Sequence, residues 1–153
     1  MHAGRWFDDL AVGEVIEHSL RRTVSEMDNI MFSSLTLNFQ PLHLDAEYAK
    51  GTEFGERLVN SMFTLGLVVG MTVPELTFGT AVANLGFDSI SFPAPVVHGD
   101  TLKVSTTVTS LRDSKSRPGV GIAGFEHTGT NQRDEVVVLC RRNAMINRRP
   151  AGG

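Results

Sequence analysis

Residues 58–71 are apolar on nearly every face, so a helix formed there has no side to offer to water and must be enclosed by the rest of the chain. Gly66 and Gly70 fall one helical turn apart within it, leaving room for another backbone to approach one side closely. Pro74 predicts the end of this helix, because it disfavours helical backbone at Val73. Downstream the pattern is extended over residues 81–92, 101–112, 120–130 and 135–146, and the parting segments Pro93-Ala-Pro95, His98-Gly-Asp100, Arg117-Pro-Gly119 and Gly129-Thr-Asn131 carry turn chemistry. Leu102, Val104, Thr106 and Val108 fall on one face of the second strand and Lys103, Ser105, Thr107 and Thr109 on the other, the alternation of a strand with one wet side. A buried helix followed by several long strands predicts an α+β fold in which an antiparallel sheet wraps around a long central helix.

The front of the chain is read as a strand over 15–24, entered through a turn at Gly13, then a short helix over 26–33 capped by Ser25 with Glu26 and Asp28 in its first turn. Trp6 and Phe7 are expected to pack over the sheet. At 153 residues the chain fits one domain, 1–153, able to bury about two thirds of the surface its unfolded form exposes. The run Gly-Val-Gly-Ile-Ala-Gly at 119–124 matches a dinucleotide-binding string, but no strand-turn-helix surrounds it. Glycines that let a strand bend over a neighbour explain it better.

Formal net charge is −3 with both signs interspersed, which leaves no broad footprint for nucleic acid or an anionic membrane. Arg141, Arg142, Arg148 and Arg149 make the one local basic cluster, read as a solvated strand end or as a seat for an anionic group. The longest nearly apolar stretch, 58–73, is interrupted by Asn60, Ser61, Thr64 and Thr72 and falls short of the roughly 20 residues that cross a bilayer. The N-terminal residues lack the apolar core of a signal peptide, and the single cysteine, Cys140, read as a small buried side chain, fits a reducing cytosol. A soluble cytoplasmic protein is expected.

Residues 38–45 read Asn-Phe-Gln-Pro-Leu-His-Leu-Asp, which places a carboxamide, a proline, an imidazole and a carboxylate in one short segment. Histidine alone has an unperturbed pKa near neutrality, so one held rigidly is a candidate for proton transfer. Pro41 pushes Gln40 toward extended backbone, so His43 is expected on a defined loop, with a structural or merely exposed histidine as the alternative. Asp45 then caps a short helix that Gly51 ends. Asp100 is read as a turn residue bonding nearby backbone N–H groups.

Three ordered strings on this architecture resemble the MaoC-like dehydratases, the R-specific enoyl-CoA hydratase group. Residues 38–45 resemble the family's Asp-x-Asn-Pro-Leu/Ile-His-x-Asp motif; Leu-Val-Asn-Ser-Met at 58–62 is similar to its Ile-Val-His-Gly-Met helix opening; Pro-Val-Val-His-Gly-Asp-Thr-Leu at 95–102 is like its Pro-Val-x-x-Gly-Asp-x-Leu turn. The resemblance implies the hot-dog fold, a homodimer or higher assembly whose sheets join edge to edge, and reversible hydration of a coenzyme A thioester. No metal or organic cofactor is implied; coenzyme A enters as part of the substrate. The departures are that Asn38 stands where the family has its catalytic aspartate, Gln40 where it has asparagine, and Asn60-Ser61 where it has His-Gly. An amide cannot remove a proton, so Asn38 can only orient a water or a substrate oxygen.

In this reading His43 is the general acid/base, backbone N–H groups around Ser61 and Met62 form the oxyanion site, and Gln40 and Asn60 contact substrate. An ordinary helix cap at Asn60 or Ser61 is compatible with this. Further likeness to a branch acting on mesaconyl-CoA or itaconyl-CoA type thioesters makes Arg117 the candidate partner of a free carboxylate, with a solvated turn residue or a coenzyme A phosphate contact as alternatives. Two other functions stay open: a non-catalytic acyl-CoA-binding subunit, and a thioesterase, for which Glu53 and Glu56 are the nearest acids before the helix.

Overall fold

The computed structural model describes residues 4–150; residues 1–3, part of the segment read for a leader, lie outside it, as do 151–153. The expected central helix is α4, after the short elements β1 (Val15–Glu17), β2 (Arg22–Thr23), α1 (Glu26–Leu35), α2 (Pro41–Leu44) and α3 (Ala46–Lys50). It runs Ser61–Leu76, three residues later at its start than the apolar pattern, because Asn60 caps it: the side-chain oxygen accepts from Met62 N–H at 3.0 Å. Leu58 pairs instead with Val97 in an isolated antiparallel bridge. Pro74 does not end the helix. It sits in the last turn, where its missing N–H removes one bond while burial of Met71, Thr72 and Leu76 holds the turn.

The four long strands are β3 (Ala81–Ser91), β4 (Thr101–Asp113), β5 (Val120–Thr130) and β6 (Val136–Asn147), within a residue or two of the sequence reading. They form an antiparallel sheet in the order β1-β4-β5-β6-β3, with β2 also on β4. The single strand expected over 15–24 is split. Glu17 pairs with Ser105 and Arg22 with Leu102, so four residues oppose two, a bulge at which His18 turns into the interior.

Leu102, Val104, Thr106 and Val108 are all buried, as the alternation requires. They face α4, but the core beneath the helix is not uniformly apolar. One cluster gathers Val24, Leu65, Val68, Leu102, Val104, Val138 and Cys140, and a second gathers Phe7, Leu76, Val108, Phe125, Ala144 and Ile146. Between them, one residue from each of β4, β5 and β6 makes a polar layer, Thr106, His127 and Arg142, joined by His18. Arg142, which the sequence groups with the basic cluster at a strand end, is instead 5% exposed, while Arg141 pairs with Glu126, Arg148 with Asp8 and Asp113, and Arg149 with Asp9.

Phe7 packs over the sheet as expected, with its ring where a Cβ on Gly121 would lie, only 2.2 Å from the nearest ring atom. Among the described residues, nothing beyond the adjacent turns of α4 itself lies within 4 Å of a Cβ built at Gly66 or Gly70, so these residues do not make the close approach anticipated there. The outer edge of β3 has no strand partner among the described residues, and Val82, Leu85, Phe87 and Ile90 along it stay exposed. Among the described residues no helix is long and apolar enough to cross a membrane.

Candidate active site

Ser25 opens α1 through a capping box, its Oγ accepting from Asp28 N–H while the Asp28 carboxylate accepts from Ser25 N–H. This fixes the helix so that Asn29 points into the core, completely buried. After α1 the chain reverses at Leu37, whose φ is 57°. His43 then lies not on a loop but within α2, a single helical turn that Pro41 begins. Proline breaks a helix in its interior but suits its first position, where the N–H it lacks would be unpaired anyway. Asp45 accepts from Glu47 and Tyr48 N–H and caps α3 as expected.

The imidazole of His43 is half-buried, and its Nδ1 lies 2.9 Å from the carbonyl oxygen of Leu58. A carbonyl only accepts, so Nδ1 carries a proton, and in the neutral ring the lone pair falls on Nε2. That carbonyl also accepts from Asn29 Nδ2 at 3.1 Å. The same amide nitrogen donates to the carbonyl of His43 at 3.1 Å and meets His98 Nε2 at 3.0 Å, while its oxygen accepts the backbone N–H of Asn60 at 2.9 Å. Burial, reinforced by the Arg57 guanidinium, pushes the His98 imidazole below its usual range, which keeps it neutral and able to accept. Sequence reasoning missed Asn29; the available signal was an asparagine within a helix, a poor helix former unless its side chain is engaged.

His43 and Ser61 both line a cleft of about 350 Å³ whose other walls include Phe54, Leu58, Thr64, Phe92, Val96 and Val137. A second groove of about 340 Å³ shares Phe54, Leu58, Ala94 and Pro95 with it and adds Glu56, Arg133 and Glu135. The cleft therefore sets an imidazole with a free lone pair beside the opening of a sixteen-residue helix, where unpaired N–H groups and the positive dipole end favour an oxyanion. Ser61 N–H has no hydrogen-bond partner among the described residues.

The other expected site residues fall elsewhere. Met62 N–H is taken by the Asn60 cap, so it is not a free oxyanion donor. Asn60 is buried at 2% exposure, its side chain is engaged by Met62 N–H and Ser33 Oγ as the cap of α4, and it is outside the cleft lining. Asn38 and Gln40 are exposed and outside the cleft lining; the Asn38 oxygen faces Gln40 N–H at 3.4 Å. Arg117 sits in the turn after β4, where its N–H meets Ser114 Oγ, and it is outside the cleft lining. Neither Glu53 nor Glu56 lines the cleft, and no lysine or arginine does. Among the described residues no three His, Cys, Asp or Glu side chains gather as a metal site requires.

A family model described as "MaoC like domain" matches residues 9–131, most of the chain. The chain belongs to the MaoC-like family. This MaoC-like domain is 33% identical over 148 residues to a mesaconyl-CoA hydratase of Cereibacter sphaeroides, a match covering 97% of the chain and 43% of that protein. It is 34% identical over 113 residues to an (R)-specific enoyl-CoA hydratase of Rhodospirillum rubrum, covering 72% of the chain and 74% of the relative. A solved Mycobacterium tuberculosis protein described as having a double hot-dog fold superposes with a TM-score of 0.85 at 27% identity, over 98% of this chain and 46% of that one. The MaoC-like domain thus has the hot-dog fold, and it spans about two fifths of the length of the mesaconyl-CoA hydratases it matches.

Proposed function

We propose that this MaoC-like domain catalyses reversible addition of water across the conjugated double bond of an enoyl-CoA thioester, with His43 as general acid/base and Ser61 N–H as a donor to the thioester oxygen. The observation that carries the reading is the free Nε2 of His43, fixed by the Leu58 carbonyl, in the same cleft as the start of α4. Nε2 takes a proton from water as the oxygen adds to the β-carbon, and the imidazolium keeps its Nδ1–H on Leu58 O. The negative charge that runs to the thioester oxygen is met by Ser61 N–H and the helix dipole. The ring then returns its proton at the α-carbon, so one imidazole serves both transfers and Asn38 is not needed as a base. No metal or organic cofactor is required, and coenzyme A enters only with the substrate, its long arm leaving through the neighbouring groove.

The wall of the cleft favours an apolar acyl group. A dicarboxylic one, of the kind named in the mesaconyl-CoA hydratase relatives, would need a cation from outside the cleft lining, which a second copy of the chain could bring. Such a copy is part of the proposal: the bare edge of β3, with Val82, Leu85, Phe87 and Ile90 exposed along it, is a surface on which two sheets can join as a homodimer. A reducing cytoplasm suits the unpaired, buried Cys140.

The test offers the protein crotonyl-, mesaconyl- and itaconyl-CoA while loss of the conjugated double bond and release of free thiol are followed together. Hydration without thiol is expected, and His43→Ala should lower it by roughly 10²- to 10⁴-fold with the fold retained. Thiol release alone would make the protein a thioesterase, and neither signal would make it a binding subunit.

A further inference from the structure

We propose that Asn29 is the positioning residue of this site, holding the base and the opening of α4 in one fixed register; the inference rests on the hydratase reading above. Asn29 is wholly buried, and its amide touches every part of the constellation at once. Through Nδ2 it meets the carbonyl of His43 at 3.1 Å and the carbonyl of Leu58 at 3.1 Å, the oxygen that orients the His43 ring. Through Oδ1 it receives the N–H of Asn60, the residue that caps α4 in front of Ser61.

Its orientation is overdetermined. Two carbonyl oxygens can only accept and the Asn60 N–H can only donate, so the amide cannot be reversed. Two amide hydrogens meet three acceptors, the third being His98 Nε2, which must therefore present a lone pair. A shift of His43 relative to the start of α4 has to break a bond to Asn29 on one side or the other. Such a shift is costly in rate, because a displacement of about 1 Å in a reacting geometry lowers turnover roughly 10²-fold. No sequence motif marks this role, since the partners of Asn29 lie 14, 29, 31 and 69 residues away along the chain.

The test compares wild type with Asn29→Ala and Asn29→Asp by two readouts. Ring nitrogen shifts of isotope-labelled histidine, assigned by their loss in His43→Gln, report which nitrogen of His43 carries the proton; steady-state kinetics separate kcat from KM. Wild type should show the pure Nδ1–H form. In folded Asn29→Ala the Leu58 carbonyl loses its anchor, so the ring should populate the Nε2–H form and kcat should fall roughly 10²-fold with little change in KM. A folded variant in which His43 stays wholly Nδ1–H overturns the proposal, whatever its activity. Should Asn29→Ala fail to fold, Asn29→Asp carries the same test, because it keeps the side chain's shape and its acceptor for Asn60 N–H. Should wild type hydrate no thioester, the proton position on His43 still decides the role of Asn29 independently.

Discussion

The polar layer beneath α4 makes the fold sensitive to acid well above the range where carboxylates titrate. Arg142 Nε donates to His127 Nε2 at 2.8 Å, so His127 must carry its proton on Nδ1, which lies 2.7 Å from Thr106 Oγ1. Thr106 in turn donates to His18 Nε2 at 2.8 Å, and His18 Nδ1–H points to the Glu75 carboxylate at 3.1 Å. Every hydrogen in this string has one direction. A second proton on His127 would set two donors against each other beside a guanidinium, in a site with no solvent exposure. Burial, with the Arg142 charge adding to it, accordingly pushes the imidazole from 6.5 down to about 3. The unfolded chain takes up this proton near pH 6.5 and the folded one not until about pH 3, so in that window the unfolded state binds more protons and stability falls as pH falls. At roughly 1.4 kcal/mol per pKa unit, His127 alone removes about 2 kcal/mol between about pH 8 and about pH 5. The assay is urea unfolding of wild type and His127→Gln across that range. The variant, less stable at the alkaline end through poorer packing, should lose about 2 kcal/mol less than wild type on acidification, since other groups titrate alike in both. Parallel stability curves would refute the reasoning.

Gly121→Ala drives a methyl into the Phe7 ring and should cost about 1–3 kcal/mol, read as a lowered Tm, with relief in the double variant carrying Phe7→Ala. Ile90→Lys places a charge on the bare β3 edge and should reduce the mass seen by light scattering from two chains to one; a wild type already monomeric, or a variant still dimeric, would exclude this edge as the interface.

The fold was legible because its signals are local. The alternation from Leu102 to Val108, the turn residues and the all-apolar run each state their environment within a few positions. The errors came where two local rules compete. Pro41 reads as a helix breaker yet starts α2, and Pro74 reads as a stop yet lies within α4, because tertiary packing decides which rule applies. His43 and Ser61 were visible as chemistry-bearing residues in a recognisable string, and the structure sets both in one cleft. Asn29 and the His18-Thr106-His127-Arg142 string were invisible for the opposite reason. Their partners sit on other elements, and for Asn29 most are main-chain atoms that any residue would supply.

Leu58 contributes to the site twice through independent atoms: its oxygen steers the imidazole, while its side chain forms part of the wall that a substrate tail would touch. Since every amino acid brings the same oxygen, position 58 can be enlarged, trimmed or branched to retune which tails are admitted while proton delivery stays aimed as before. Selectivity can thus drift at this point of the chain without a matching change in the acid/base apparatus.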